Sequence, residues 1–183
     1  MDKKKTFFLL LLLLIVLIGG AAALYNVYGD MPMPGAVAEP EAQETIPAPD
    51  FTVIDVDGNE VQLSDFVGKP IVLNFWASWC GPCQYEMPVF DAMARELDGE
   101  VVFMMVNAIG ARGETVDSAK EFLAETGYTF PAYFDTMYQA RDAYGIYSYP
   151  TTFFIYDNGA VAGYASGAMS EEFLRECIGV IYE

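Results

Sequence analysis

The residues with most chemistry to offer stand in one short run, Trp76-Ala77-Ser78-Trp79-Cys80-Gly81-Pro82-Cys83. Two cysteines three positions apart lie on one face of a helix, at a separation that suits a disulfide. The run follows the apolar stretch Ile71–Trp76 and opens a helical pattern, so Cys80 falls at a helix start. Unpaired amides and the positive end of the helix dipole favour a thiolate there. Pro82 fits the first turn, where its missing N–H costs nothing. Cys83 sits one turn further in, lacks that help, and is expected to be the less acidic, more buried thiol. The chemistry these residues predict is dithiol exchange, with Cys80 attacking and Cys83 resolving.

Other chemistries lack parts. The chain has three cysteines and no histidine. Zinc binding, His-ligated haem and Ser-His-Asp or Cys-His catalysis therefore each miss a component. A purely structural disulfide across so short a loop would contribute little loop-closure stabilisation. A peroxidatic cysteine would want Thr or Ser three positions upstream, where this chain has Ala77. No metal and no cofactor are expected beyond a redox-active Cys80–Cys83 disulfide. The third cysteine, Cys177, shares an apolar stripe with Phe173, Leu174, Ile178 and Ile181, which predicts a buried core thiol.

The elements that must hold the dithiol follow from periodicity. Ile71–Trp76 is apolar but for Asn74, the mark of a strand buried on both faces. A helix from about Cys80 to Leu97 carries Met87, Phe90, Met93, Ala94 and Leu97 on one stripe, with a kink expected at Pro88. Val101–Val106 reads as a second buried strand, giving a β-α-β crossover. Upstream, Phe51–Val56 and Glu60–Leu63 flank Asp57-Gly58 as a hairpin; downstream, Thr151–Tyr156 and Val161–Ala165 flank Asp157-Asn158-Gly159 as another. Between them come a polar loop at Asn107–Thr115, helices near Val116–Thr126 and Met137–Tyr144, and a short strand at Thr129–Phe134. A last helix starts from a Ser170 cap, with Glu171 and Glu172 complementing its dipole. This alternation argues an α/β domain at residues 51–183, a sheet covered by helices on both faces.

Charge and hydropathy place that domain. The 183 residues include 9 Lys+Arg against 26 Asp+Glu, yet 54% are hydrophobic. The contradiction resolves by position. Phe7–Leu24 is free of charge and follows Lys3-Lys4-Lys5, which suits an N-terminal transmembrane or signal segment at residues 1–24 with the basic end cytoplasmic. Two readings stand, an uncleaved anchor or a signal cleaved after Ala21-x-Ala23. Either exports the rest. Removing three Lys and one Asp with that segment leaves six basic and 25 acidic residues, a net charge of −19. Such a surface repels phosphates, so no nucleic-acid partner is expected. Residues 25–50 hold Pro32, Pro34, Pro40, Pro47 and Pro49 without helical or strand period, a tether reaching at most about 80 Å.

The stretch Ile71–Pro88, IVLNFWASWCGPCQYEMP, resembles the active-site region of the thioredoxin superfamily, and more narrowly the membrane-anchored TlpA/ResA-like thiol-disulfide oxidoreductases. Tyr149-Pro150-Thr151-Thr152-Phe153 matches that family's cis-proline loop. Gly127–Asp135 with Tyr144-Gly145 matches its TlpA-type insertion, and Val61–Lys69 its N-terminal hairpin region. The resemblance implies a thioredoxin-like fold, a central mixed sheet flanked by helices. It implies that Pro150 is cis beside Cys80, with Tyr149, Pro150 and Thr151 holding an extended client. It implies supporting places for Trp79, Gly81 and Pro82, and an acidic residue near the dithiol at Glu86, for which a proton-transfer role and an ordinary solvated carboxylate both stay open. Asn74 stands where thioredoxins proper carry a buried Asp; it is expected to be a satisfied structural group. Tyr144, Tyr147 and Tyr149 are either a client-facing wall or packing residues. The Gly81-Pro82 pair belongs to the reducing, thioredoxin end of the family. The implied activity is reduction of client disulfides outside the cytoplasm, recharged by a CcdA- or DsbD-like membrane electron donor. Implied clients are apocytochrome c, envelope or sporulation proteins and methionine sulfoxide reductase. A peroxiredoxin-like peroxidase and a disulfide-generating oxidant are the alternatives.

Overall fold

A computed structural model describes residues 46–182. The expected export segment and most of the expected tether lie outside the described residues. Among the described residues no helix is long and apolar enough to cross a membrane. The strands are β1 (Thr52–Ile54), β2 (Glu60–Gln62), β3 (Ile71–Trp76), β4 (Val102–Asn107), β5 (Ala132–Phe134), β6 (Thr151–Ile155) and β7 (Val161–Ser166). The helices are α1 (Gly81–Glu96), α2 (Val116–Thr126), α3 (Gln139–Ala143) and α4 (Glu171–Ile181), with 3-10 turns at Leu63–Phe66 and Ala111–Gly113.

All six residues of β3 are buried, and the strand sits inside a seven-stranded sheet of order β2-β1-β5-β4-β3-β6-β7. It runs parallel to β4 and antiparallel to β6, so the sheet is mixed, as the resemblance implied. Alternation along β3 sends Val72 and Trp76 to one face and Ile71, Leu73 and Phe75 to the other. The first face carries α1, α2 and α4 through Met87, Ala119 and Leu174. The second is covered by α3, through Ala140, and by Phe51 and Leu63 near the hairpin. Asn74 shares the parity of Val72 and Trp76, which turns it toward α1.

Several elements are shorter than their periodicity suggested, each for a local reason. Asp55 ends β1 because its carboxylate accepts from the Asp57 and Asn59 amides and starts the turn itself. Thr129 and Phe130 leave the strand because their amides bond the Asp91 carboxylate instead. Tyr138 adopts φ 59°, so α3 cannot begin at Met137; Asp135 accepts from the Ala140 and Arg141 amides and holds the helix start. On α4, Phe173 is 45% exposed and Cys177 half-buried, so the stripe read as core is only partly core. The helix α1 runs on through Pro88, whose missing N–H leaves the Gln84 carbonyl without its helical donor.

Candidate active site

The dithiol sits where β3 ends and α1 begins. Cys80 is the N-cap of α1, in extended backbone, and its Sγ accepts from the Cys83 amide at 3.2 Å. Pro82 stands in the first turn. The two sulfurs are bonded to each other, with Cα atoms 5.2 Å apart. Cys80 is 4% exposed and Cys83 fully buried, so the outer sulfur belongs to Cys80. The N–H directed at Cys80 Sγ and the unpaired amides of the first turn would stabilise a thiolate after reduction. Gly81 and Pro82 are exposed, leaving the disulfide approachable along that lip.

Glu86 lies beneath this pair. Three residues separate it from Cys83, which puts the two on one helix face, and it is fully buried. The solvated-carboxylate alternative is therefore wrong. The missed signal was helical: Glu86 shares its stripe with Cys83, Phe90 and Met93, all buried. Its Oε1 accepts from Asn74 Nδ2 at 2.9 Å and its Oε2 from the Met169 amide at 3.0 Å. Burial raises the Glu86 carboxyl to about 7, against the lowering pull of those two donors. Asn74 also donates to the Thr152 hydroxyl at 2.9 Å, while its Oδ1 has no partner among the described residues. It is thus an incompletely satisfied group in direct contact with Glu86, not the fully satisfied one expected.

The Tyr149-Pro150 peptide is cis. The Pro150 carbonyl accepts from the Gly167 amide, and the Thr151 hydroxyl donates to the Ser148 carbonyl. Among the described residues neither the N–H nor the C=O of Tyr149 is engaged by another backbone group. The Tyr149 ring stands edge-on to Trp79, centroids 6.0 Å apart, so the residue before Cys80 and the residue before Pro150 touch. The three tyrosines separate. Tyr144 packs against Phe51, Phe75 and Phe153, Tyr147 is 96% exposed, and Tyr149 is half-buried at the dithiol.

Two residues of the polar loop were missed. Glu114 is buried and accepts from the Ser78 amide at 2.9 Å, the Ser78 hydroxyl at 2.7 Å and Asn107 Nδ2 at 2.9 Å. It ties the loop before Cys80 to the end of β4. Arg112 lays its guanidinium 4.6 Å from the Trp79 ring centroid, and the Trp79 indole N–H donates to the Ala111 carbonyl. No sequence signal marked either, because the partners that tie them to the dithiol loop, Ser78 and Trp79, lie more than 30 residues away. Among the described residues no group of three or more His, Cys, Asp or Glu side chains is placed to hold a metal ion. A depression of about 500 Å³ between Phe66, Ala94 and Tyr133 lies at the opposite end of β3 and β4 from the dithiol.

Comparison with known proteins agrees with this geometry. Residues 45–164 match the model of the AhpC/TSA family. Over 130 residues the chain is 37% identical to the thiol-disulfide oxidoreductase ResA of Geobacillus thermodenitrificans, covering 70% of this chain and 72% of the relative. To ResA of Bacillus subtilis it is 34% identical over 135 residues, 73% of each. Among solved structures, the exposed lipoprotein thioredoxin Etrx1 of Streptococcus pneumoniae superposes with a TM-score of 0.64 at 32% identity, over 72% of this chain and 99% of that one.

Proposed function

The chain belongs to the AhpC/TSA family, among its ResA-like thiol-disulfide oxidoreductases with a thioredoxin-like fold; on that premise we propose that it reduces client disulfides outside the cytoplasm through Cys80 and Cys83. The observation that carries this reading is the pair itself: a bonded Cys80–Cys83 at the start of α1, with Cys80 outermost and a backbone N–H aimed at its sulfur.

In the proposed cycle the Cys80 thiolate attacks one sulfur of a client disulfide. A Cys80–client bond forms, and the client's other sulfur leaves as a thiolate that takes a proton. Cys83 then loses its proton and attacks Cys80 Sγ, closing the Cys80–Cys83 disulfide and releasing the second client thiolate. Two electrons pass from enzyme to client, and the two client thiolates take up two protons, one matching that released by Cys83 and one from solvent. The chain has no imidazole to take the Cys83 proton. Glu86, poised near neutrality one turn along α1, is suited to accept it. Asn74 positions Glu86, and Trp79 and Tyr149 frame the approach to Cys80. The free Tyr149 peptide groups would pair with an extended client segment, with Pro150 and Thr151 behind them.

The apolar run after Lys3-Lys4-Lys5 supports a membrane anchor or a signal, with residues 25–45 as tether and the working domain on the far side. Residues 46–50, expected in the tether, instead join the domain, the Ala48 amide donating to the Gly159 carbonyl and the Val161 amide to the Ile46 carbonyl. A CcdA- or DsbD-like carrier would return electrons. Apocytochrome c, envelope or sporulation proteins and methionine sulfoxide reductase are the client classes, by resemblance. Equilibration with a defined glutathione couple tests the direction. A potential near about −270 mV is expected; one near about −120 mV would make the protein an oxidant. Peroxide consumption that survives Cys83→Ser would make it a peroxidase instead.

A further inference from the structure

Six basic residues lie in the described part of the chain, and five are occupied. Arg95 pairs with Asp91, Arg141 with Asp142, and Arg175 with Glu96 and Glu171. Lys69 donates to the Gly99 carbonyl and Lys120 to the Val56 carbonyl. Arg112 differs. It is exposed, and among the described residues neither a carboxylate nor a carbonyl accepts from it. Its guanidinium lies over the Trp79 ring, next to Cys80 in sequence, and Trp79 in turn meets Tyr149.

The arrangement is held in place rather than left to a flexible side chain. The Trp79 indole is fixed by the Ala111 carbonyl, and the following residue, Arg112, takes φ 49° and ψ 33°. Glu114, two residues on, bonds Ser78 on the other side of Trp79. A guanidinium stacked on an aromatic face keeps its N–H donors in plane and free for a carboxylate. An arginine without a partner is also unusual in a chain of net charge −17. The surrounding acidic field falls off within about 8 Å at physiological salt. A contact between Arg112 and an anion is short-range and survives that screening better.

We propose that Arg112 is a specificity residue: it recognises a carboxylate that flanks the attacked cysteine of a client protein. The proposal rests on the dithiol reading above. It concerns the charge of the client segment beside the disulfide, not the exchange chemistry itself.

Three synthetic peptides test it, identical disulfide loops with Asp, Asn or Lys next to one cysteine. The reduced full-length chain is mixed with each, and dithiol peptide is followed by chromatography. The expected order of rates is Asp above Asn above Lys, with about a three- to fivefold preference for Asp over Asn. Arg112→Asn, which tolerates a positive φ, is expected to remove the preference while leaving the Asn-peptide rate within about twofold. Arg112→Lys is expected to retain part of it. Equal rates for all three peptides with the unaltered protein would overturn the proposal. So would an equal loss on all three peptides in Arg112→Asn, which would assign the residue to thiolate stabilisation. Failure to reduce the Asn peptide at all would strike instead at the dithiol reading, and the two failures are distinguishable.

Discussion

Replacing Glu86 by Gln removes one ionisation from the buried layer beneath the dithiol, and its consequence can be worked from the structure. The carboxyl stands at about 7 in the folded chain against an ordinary 4.5, because burial outweighs the donors from Asn74 and Met169. A carboxyl raised by folding holds its proton more tightly in the native state than in the unfolded one. Its stabilising contribution is therefore complete below about pH 4.5 and is lost as pH rises through about 7. At about 1.4 kcal/mol per pH unit the loss amounts to about 3 kcal/mol. Gln is isosteric and uncharged. Its Oε1 can keep the Met169 N–H, and a flip of the Asn74 amide brings the unpartnered Oδ1 to the new Nε2. Denaturant unfolding of the oxidised protein from about pH 4 to about pH 8 is the assay. Wild type is expected to lose about 3 kcal/mol relative to Glu86→Gln across that window, mostly above pH 5. In single-turnover mixing, resolution of the Cys80 mixed disulfide is expected to slow about a hundredfold near pH 7.5 and to lose its inflection near 7. Parallel stability curves, or an unchanged resolution profile, would refute the reasoning.

Two further substitutions separate support from chemistry. Glu114→Ala strands the Ser78 amide, the Ser78 hydroxyl and Asn107 Nδ2 in a buried site, and is expected to cost about 3 kcal/mol in urea unfolding. Glu114→Gln, which keeps an acceptor, should recover at least half of that. Asp91→Ala unbinds the Thr129 and Phe130 amides and the Arg95 guanidinium far from the dithiol. It is expected to cost about 2 kcal/mol, with the rate of peptide-disulfide reduction by the folded protein unchanged. A matching loss of that rate would mean that α1 transmits strain to Cys80.

How much was legible in the sequence follows from how local each feature is. The dithiol, its place at the start of α1 and the Tyr149-Pro150 loop were legible because each is written in consecutive residues. The two central strands and their β-α-β crossover followed from the largely apolar runs Ile71–Trp76 and Val101–Val106, which mark strands covered on both faces. The state of Glu86 depended on what closes over α1. The Met169 amide, 83 residues on, is part of that cover and has no signature in the Glu86 neighbourhood. Glu114 and Arg112 were hidden for the same reason, since a loop rich in polar residues reads as solvated until a partner is folded against it. Strand ends were hidden because side-chain carboxylates, Asp55 and Asp91, compete for the backbone amides that a ladder would otherwise use.

The central claim is that Cys80 attacks and Cys83 resolves. Its most direct test is Cys83→Ser in the full-length chain, expressed in cells, with alkylation to freeze thiols and mass spectrometry of disulfide-linked complexes. The account predicts client proteins joined to Cys80 and released by dithiothreitol, with none in the Cys80→Ser variant. Adducts that form on Cys83 when Cys80 is replaced, and are missing when Cys83 is replaced, would contradict it.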